Sequence, residues 1–377
     1  MIVWFRKFFI KVVVFPLIFF TSLVYRFRSK KIDIGIGPYP IINNIYHKKA
    51  LQNKGYKVET FVYTTYFITD DFDINLSDKN LFKKLFALIN LAFKYNILII
   101  YFNGGPLSIL GYGRLEPFLY KLARVKMILL PYGSDIQDMS RSNNLYFKHV
   151  MSMDYPSYKF KRVDVAKQID LWTQKADFIF SGCEWVDYMY YWDQLMLGHF
   201  SIDLEDKRFI KNNSSTATKS KSFKVLHAPN HSSIKGTSFF VDAIKELKEE
   251  GFNIELIIKQ KVSNEEIIEA THCVDLVLDQ LVIGWYAMLS IEAMSCNKPV
   301  MCYLRDDLIT LYKTADLFKD CPIINANIEN VKEKIAWCYN NRVELNSMAK
   351  KGRHFVRRNH SLESVGDVFD RAIKKII

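Results

Sequence analysis

The chain has 377 residues, of which 49% are apolar and 24% charged, and its formal net charge is +12. That length exceeds one ordinary domain and the apolar share can fill two cores, so two domains are expected. Arg6, Lys7, Lys11, Arg26, Arg28, Lys30 and Lys31 put +7 on residues 1–31, which hold no Asp or Glu; +5 of the +12 is left for the body, with no arginine-rich groove or zinc-finger spacing, so nucleic acid is not expected as a partner.

The six cysteines form no C-x-x-C pair and read as reduced, mostly buried thiols, so neither a zinc site nor a disulfide framework is expected. The excess of positive charge points instead to an acidic lipid surface or a phosphorylated small molecule.

In chain order, residues 1–31 come first as a membrane-associating segment. Its longest uncharged run, 12–25, has fourteen residues and contains Pro16. A bilayer span needs about 20 apolar residues. A cleaved signal peptide lacks its small-x-small site. A single-pass anchor, with Lys11 snorkelling, and an interfacial helix on an anionic membrane surface remain as readings, beside a buried N-terminal helix. The expected location is the cytoplasmic face of a membrane.

Residues 32–200 alternate short apolar runs with helical patterns. Strands are expected at 32–37, 56–63, 97–102, 126–130 and 178–181. Helices are expected at 42–54, 81–95, 115–122, 163–175 and 184–192. The polar stretch within 201–222 reads as a linker. The alternation restarts over 223–355, with strands at 223–227, 254–258, 274–279 and 300–304 and helices at 238–250, 264–271, 285–296 and 331–340. Residues 356–377 continue as C-terminal helix. The fold class is α/β, two Rossmann-like doubly wound domains behind an N-terminal hydrophobic helix, with a cleft between the carboxyl ends of the two sheets.

Three regions offer chemistry. The loop 228–237 brings Asn230, His231, Lys235, Gly236 and Thr237 to the start of a helix, where free N–H groups and a lysine suit phosphate, or where the lysine is simply solvated in a capping turn. The segment 274–299 holds Asp279, Gln280 and Gly284, then Glu292 among apolar neighbours. A buried carboxylate needs a partner, either ligand hydroxyls or a nearby backbone group. In the first domain Gly37, Asn43 and Asn44 follow the first strand, Asn103 and Gly104 the third, and Ser134 and Asp135 the fourth; Asp135 is a cleft residue or a helix cap. No G-x-G-x-x-G is present, which removes a nicotinamide or flavin fingerprint. Asp71-Phe72-Asp73 is an acidic triplet of metal-binding type, read here as chance, with no metal and no cofactor expected.

Together these residues resemble bacterial family-four, or group-one, glycosyltransferases of the GT-B fold. His227 to His231 and Ile234 to Thr237 are similar to the family's phosphate loop. Asp279-Gln280, Gly284 to Tyr286, Ile291 to Met294 and Lys298 to Val300 resemble its nucleotide-binding segment, Tyr132 to Asp135 its H-G-S-D, and Lys351-Gly352-Arg353 to Ser361 the helix crossing back to the first domain. The resemblance implies that Lys235 holds a diphosphate and Glu292 a ribose, with Asp135 also catalytic and Lys259 adding a charge. The implied reaction is sugar transfer from a nucleoside diphosphate sugar to a lipid-linked or glycan acceptor, retaining and metal-independent. Departures are Gly284 in place of a Glu, Ser232 near a missing arginine, Tyr132 for a histidine, and Asn297 for a glycine. The alternatives are a degenerate nucleotide-sugar-binding subunit and a sugar-nucleotide epimerase.

Overall fold

The structure is a computed structural model that describes residues 10–65, 71–210 and 222–377. The sequence segments 1–9 and 211–221, the beginning of the membrane segment and half of the linker 201–222, lie outside the described residues.

The first lobe is built on seven strands: β1 (Ile32–Ile36), β2 (Val58–Val62), β3 (Ile74–Asn75), β4 (Tyr95–Tyr101), β5 (Lys126–Leu130), β6 (Phe178–Ser181) and β7 (Gln194–Leu195). Their order is β3-β2-β1-β4-β5-β6-β7, every pairing parallel. The second lobe holds β8 (Phe223–His227), β9 (Ile254–Ile258), β10 (Leu276–Leu278), β11 (Val300–Cys302) and β12 (Ile324–Asn325), in the order β12-β11-β10-β8-β9, again parallel. Chain direction across each sheet reverses between β1 and β4 and between β8 and β10. Ligands of open α/β sheets sit outside the strand ends at such reversals.

The central strands form because their runs are apolar on both faces: Leu98, Ile99 and Ile100 are fully buried, as are Leu276, Val277 and Leu278. Asn80 and Ser361 accept the third backbone N–H of the Leu81–Phe93 and Leu362–Ile376 helices, and Ser263 and Glu266 form a reciprocal cap on Asn264–His272. Helix 184–192 is not formed. Cys183–Asp187 is a short 3-10 turn that opens with Cys183 at φ 51° and stops at Tyr188. Helices at Leu145–Asp154 and Asp306–Thr314 go beyond the sequence expectation.

The two lobes share one apolar core. Trp285, Tyr286 and Tyr312 of the second lobe are buried with Cys183, Trp185 and Leu197 of the first. The last helix, Leu362–Ile376, packs on the first lobe, where Val365, Phe369 and Ile373 join Ile34, Leu51 and Ile97. The helix Phe15–Phe27 packs against the Leu81–Phe93 and Glu116–Leu122 helices. Among the described residues no helix is long and apolar enough to cross a membrane.

Phe369 fills the seam of the last helix, its ring 4.8 Å from that of Phe180 and 5.0 Å from that of His47. Phe369→Ala should lower the unfolding free energy by about 3–5 kcal/mol in a urea titration. A loss under about 1 kcal/mol would show that the last helix is not docked there.

Candidate functional site

In the second lobe the site begins at the end of β8. His227 hydrogen-bonds the Leu278 carbonyl at 2.9 Å through Nδ1 and the Thr237 hydroxyl at 2.9 Å through Nε2. Burial pulls its pKa down to about 4, so it is a neutral tie between β8, β10 and the next helix. Ser232–Lys235 makes a single turn, Gly236 takes φ 74°, and the Thr237–Glu249 helix starts. A Cβ on Gly236 would lie 3.0 Å from that of Leu281 in a left-handed conformation, which accounts for glycine there.

Lys235 Nζ donates to Asp279 Oδ1 at 2.9 Å. Its side chain is 12% exposed and that of Asp279 is 0%. Asp279 also accepts from the Ser290 hydroxyl at 2.6 Å and the Ala287 N–H at 3.3 Å. Burial alone would raise the Asp279 pKa, but Lys235 and these donors hold it below the ordinary carboxylate value. One of three ammonium protons is committed to Asp279.

Glu292 sits close enough to Asp279 for that charge to raise its pKa. It is buried, and Asn264 Nδ2 donates to its Oε1 at 2.8 Å. Burial lifts it to about 7, against the Asn264 hydrogen bond and the charge of Arg208. Arg208 is held by Asp206 at 2.7 Å and reaches Asn264 Oδ1 at 3.2 Å and the Tyr46 hydroxyl at 3.4 Å. Glu292 therefore lies where the first lobe, the connection and the second lobe meet.

Several cleft expectations in the first lobe are corrected. Asp135 is fully buried and accepts from the backbone N–H groups of Phe102 at 3.1 Å, Tyr132 at 3.0 Å and Gly133 at 3.0 Å. It pins the turn after β5 and cannot touch a substrate; burial pushes its pKa to about 7. Gly37 backs onto Phe61, whose carbonyl oxygen would be 2.1 Å from an added Cβ. Asn43 accepts the Ser201 N–H at 2.7 Å, and Asn44 donates to the Tyr39 carbonyl at 2.9 Å while accepting from Tyr101; both are buried ties. Gly104, at φ 89°, makes room for Ser108 and the buried Glu116. Asn103 donates to the Tyr132 hydroxyl at 2.6 Å and is half-buried, and Ser134 is exposed. Asp73 of the acidic triplet pairs with Lys48 and accepts from Thr60 at 2.8 Å.

Other expected residues do face the junction or its rim. His231 Nδ1 hydrogen-bonds the Tyr155 hydroxyl of the first lobe at 2.6 Å. Asn230 is exposed beside it. Lys259 is half-buried after β9, and its ammonium has no ion-pair partner among the described residues. Gln280 donates to the Trp285 carbonyl, while its own carbonyl is buried without a partner.

Three groups, Arg305, Asp187 and Glu184, escaped the sequence reading. Arg305 forms a bidentate pair with Asp187 across the lobes, at 2.6 and 3.0 Å, with both side chains buried. Gly284 takes φ 93°, its carbonyl accepts the Arg305 N–H at 3.0 Å, and an added Cβ would be 2.6 Å from Arg305 Cδ. The glycine is there because Arg305 occupies the space a side chain would need. Glu184 is buried beside this pair; burial lifts its pKa to about 7, Asp187 adding to the rise and Arg305 and Lys235 opposing it. No local pattern announces Asp187 and Arg305, which lie 118 residues apart and meet only through the lobe contact.

Because Glu292 is about 7 folded and 4.5 in its ordinary state, the native protein keeps a proton that the unfolded chain releases. Its contribution to stability therefore falls as pH rises from 4.5 to 7. Glu292→Gln should gain on wild type across that window by on the order of 3 kcal/mol and level off above it, read from chemical unfolding at several pH values. A difference that does not change with pH would place Glu292 in a solvated setting.

No family model matches the chain, and no curated protein matches it. Solved structures do. The chain is similar to a sucrose-phosphate synthase from Thermosynechococcus elongatus, with 11% identity and a TM-score of 0.58, over 92% of this chain and 99% of that one. It is similar to HepE of Anabaena in complex with UDP-glucose, with 10% identity and a TM-score of 0.57, over 91% and 99%. A glycosyltransferase from Rickettsia africae aligns with 14% identity and a TM-score of 0.52, over 93% and 99%. At these identities the likeness is one of architecture, and the two parallel α/β lobes of this chain fit the two-lobed GT-B fold.

Proposed function

We propose that the protein is a glycosyltransferase that moves a sugar from a nucleoside diphosphate sugar to a glycan or lipid-linked acceptor, with retention and without a metal. The observation that carries the proposal is Lys235, held by Asp279 at the reversal between β8 and β10, beside the start of the Thr237–Glu249 helix. A cation and a helix start are the groups that stabilise a leaving diphosphate. Gly236 lets the backbone approach, and Glu292 is the carboxylate for the ribose hydroxyls, next to Asn264. Lys259, Asn230, His231, Thr237 and Gln280 border the same place. HepE, which shares the fold, was captured with UDP-glucose.

The second reading, a nucleotide-sugar-binding subunit with no turnover, draws on Gly284. The resemblance has a carboxylate at that position, and here Arg305 fills its space. Incubation with a panel of nucleoside diphosphate sugars and glycan or lipid-phosphate acceptors separates the two. Transfer, with Lys235→Ala raising donor KM and lowering kcat by at least about tenfold, supports the enzyme. Donor binding with no diphosphate release supports the subunit.

The membrane partner belongs to this proposal as well. Phe20 and Phe27 of the N-terminal helix are exposed, and so are Leu81, Phe82 and Phe86 on one neighbouring helix and Phe118 on the other. Apolar side chains beside Arg28, Lys31 and Lys83 suit the surface of an anionic bilayer. Phe20→Asp with Phe27→Asp should cut co-sedimentation with phosphatidylglycerol vesicles at least about fivefold, at unchanged thermal stability. Unchanged sedimentation would remove this face from the account.

A further inference from the structure

A cavity of about 450 Å³ lies on the second lobe, between the Arg342–His360 helix and the chain at 320–322. None of the residues that line it belongs to the loops carrying Lys235, Asp279 or Gly284. We propose that this cavity binds a small phosphate monoester, at a site separate from the donor site. The proposal goes beyond sugar transfer and does not depend on it.

The helix supplies one wall. Met348, Lys351, His354, Phe355 and Arg358 recur at steps of three and four residues, so they share one helical face. Phe355 is buried at the base of that face, Met348 is half-buried, and Lys351 and His354 are exposed. Neither Lys351 nor His354 has an ion-pair or hydrogen-bond partner among the described residues. Arg358 is partly engaged: it donates to the Lys319 carbonyl and lies 3.5 Å from Asp320. Asp320 is the only carboxylate among the described residues that line the cavity. Its side chain is 84% exposed, so water screens most of what it takes from Arg358. The charged end of a ligand therefore meets an ammonium, a ring N–H and a guanidinium within two turns of one helix. A phosphate monoester brings nearly two negative charges and three terminal oxygens to three such donors, where a carboxylate brings one charge and two oxygens. A volume of this order also holds an organic group, which would rest on Met348, Phe355 and Pro322.

The base of the cavity touches the residues that join the lobes. The Phe355 ring lies 6.0 Å from that of Tyr286, and the Tyr286 hydroxyl is 2.9 Å from His360 Nε2. On the facing wall, the Arg358 contact holds Lys319, next to Phe318, whose ring is 5.5 Å from that of Trp285. A ligand seated between Arg358 and Phe355 is thus one side chain away from the packed junction.

The test is isothermal titration of the full chain with phenyl phosphate, benzoate and inorganic phosphate. Phenyl phosphate should bind at least about fivefold more tightly than either of the others. Lys351→Ala with His354→Ala should weaken it on the order of tenfold at an unchanged thermal midpoint, since both side chains are exposed and unpaired. Asp320→Asn should strengthen it by about two- to threefold, because it releases Arg358. Lys235→Ala should leave it as it is. Absence of phenyl phosphate binding, equal binding of benzoate, indifference to the alanine pair, or weaker binding by Asp320→Asn would each overturn the proposal. Loss of binding in Lys235→Ala would also overturn it, by placing the probe in the donor site. UDP titrated alone decides the donor reading, and its result leaves these arms unaffected.

Discussion

Asp279 carries a carboxylate that water does not reach, and the arrangement of the second lobe's site follows from the groups that neutralise it. Lys235 comes from the loop after β8, Ser290 and the Ala287 N–H from the start of the Met288–Ser295 helix. An ionised carboxylate without partners would be costly at this depth, so the three donors tie two loops and a helix to one point. The pair also sets what Lys235 can do. Its ammonium is anchored on Asp279 while the side chain stays 12% exposed, one residue before Gly236 and the Thr237–Glu249 helix. An arriving diphosphate would share the cation with Asp279 and would add charge where the helix N–H groups already favour it.

The junction between the lobes shows a second constraint. Trp285 donates to the Leu197 carbonyl at 2.8 Å, Tyr312 to the Cys183 carbonyl at 2.7 Å, and Arg305 grips Asp187. These contacts are buried and cross from one lobe to the other, so the lobes are joined by a core as well as by the chain. Breaking the Arg305–Asp187 pair from one side would leave a buried charge, a change worth about 3–5 kcal/mol in such settings. The same pair explains the glycine at 284. At Gly284 the buried Arg305 lies over the backbone, its charge met by Asp187 and by Asp307.

The architecture was readable because strand and helix leave local marks. Apolar runs such as those of β4, β5 and β8 have a buried face on both sides, and the breaks at Gly55 and Gly251 follow helix ends. The two-residue strands β3, β7 and β12 leave no such mark, since neighbouring strands supply their pairing. The expected helix over 184–192 is replaced by a 3-10 turn ending at Asp187, whose carboxylate is gripped by Arg305 from the other lobe, a contact no local pattern carries. Within the site, Lys235 and Glu292 stood out as charges in apolar or phosphate-like settings. Asp135, Asn43, Asn44 and Gly37 stood out by their place after strands, yet the structure gives each an internal partner, which sequence position alone does not distinguish from a ligand-facing role. Asp187 and Arg305 were silent because their meeting depends on how two lobes pack.

The central claim is that a nucleoside diphosphate sits against Lys235 in the junction. A crystal structure of the protein grown with UDP tests it most directly. The account predicts a phosphate oxygen within hydrogen-bond distance of Lys235 Nζ and of the first backbone N–H groups after Gly236. A diphosphate bound elsewhere, with Lys235 still closed on Asp279 and nothing beside it, would contradict the account.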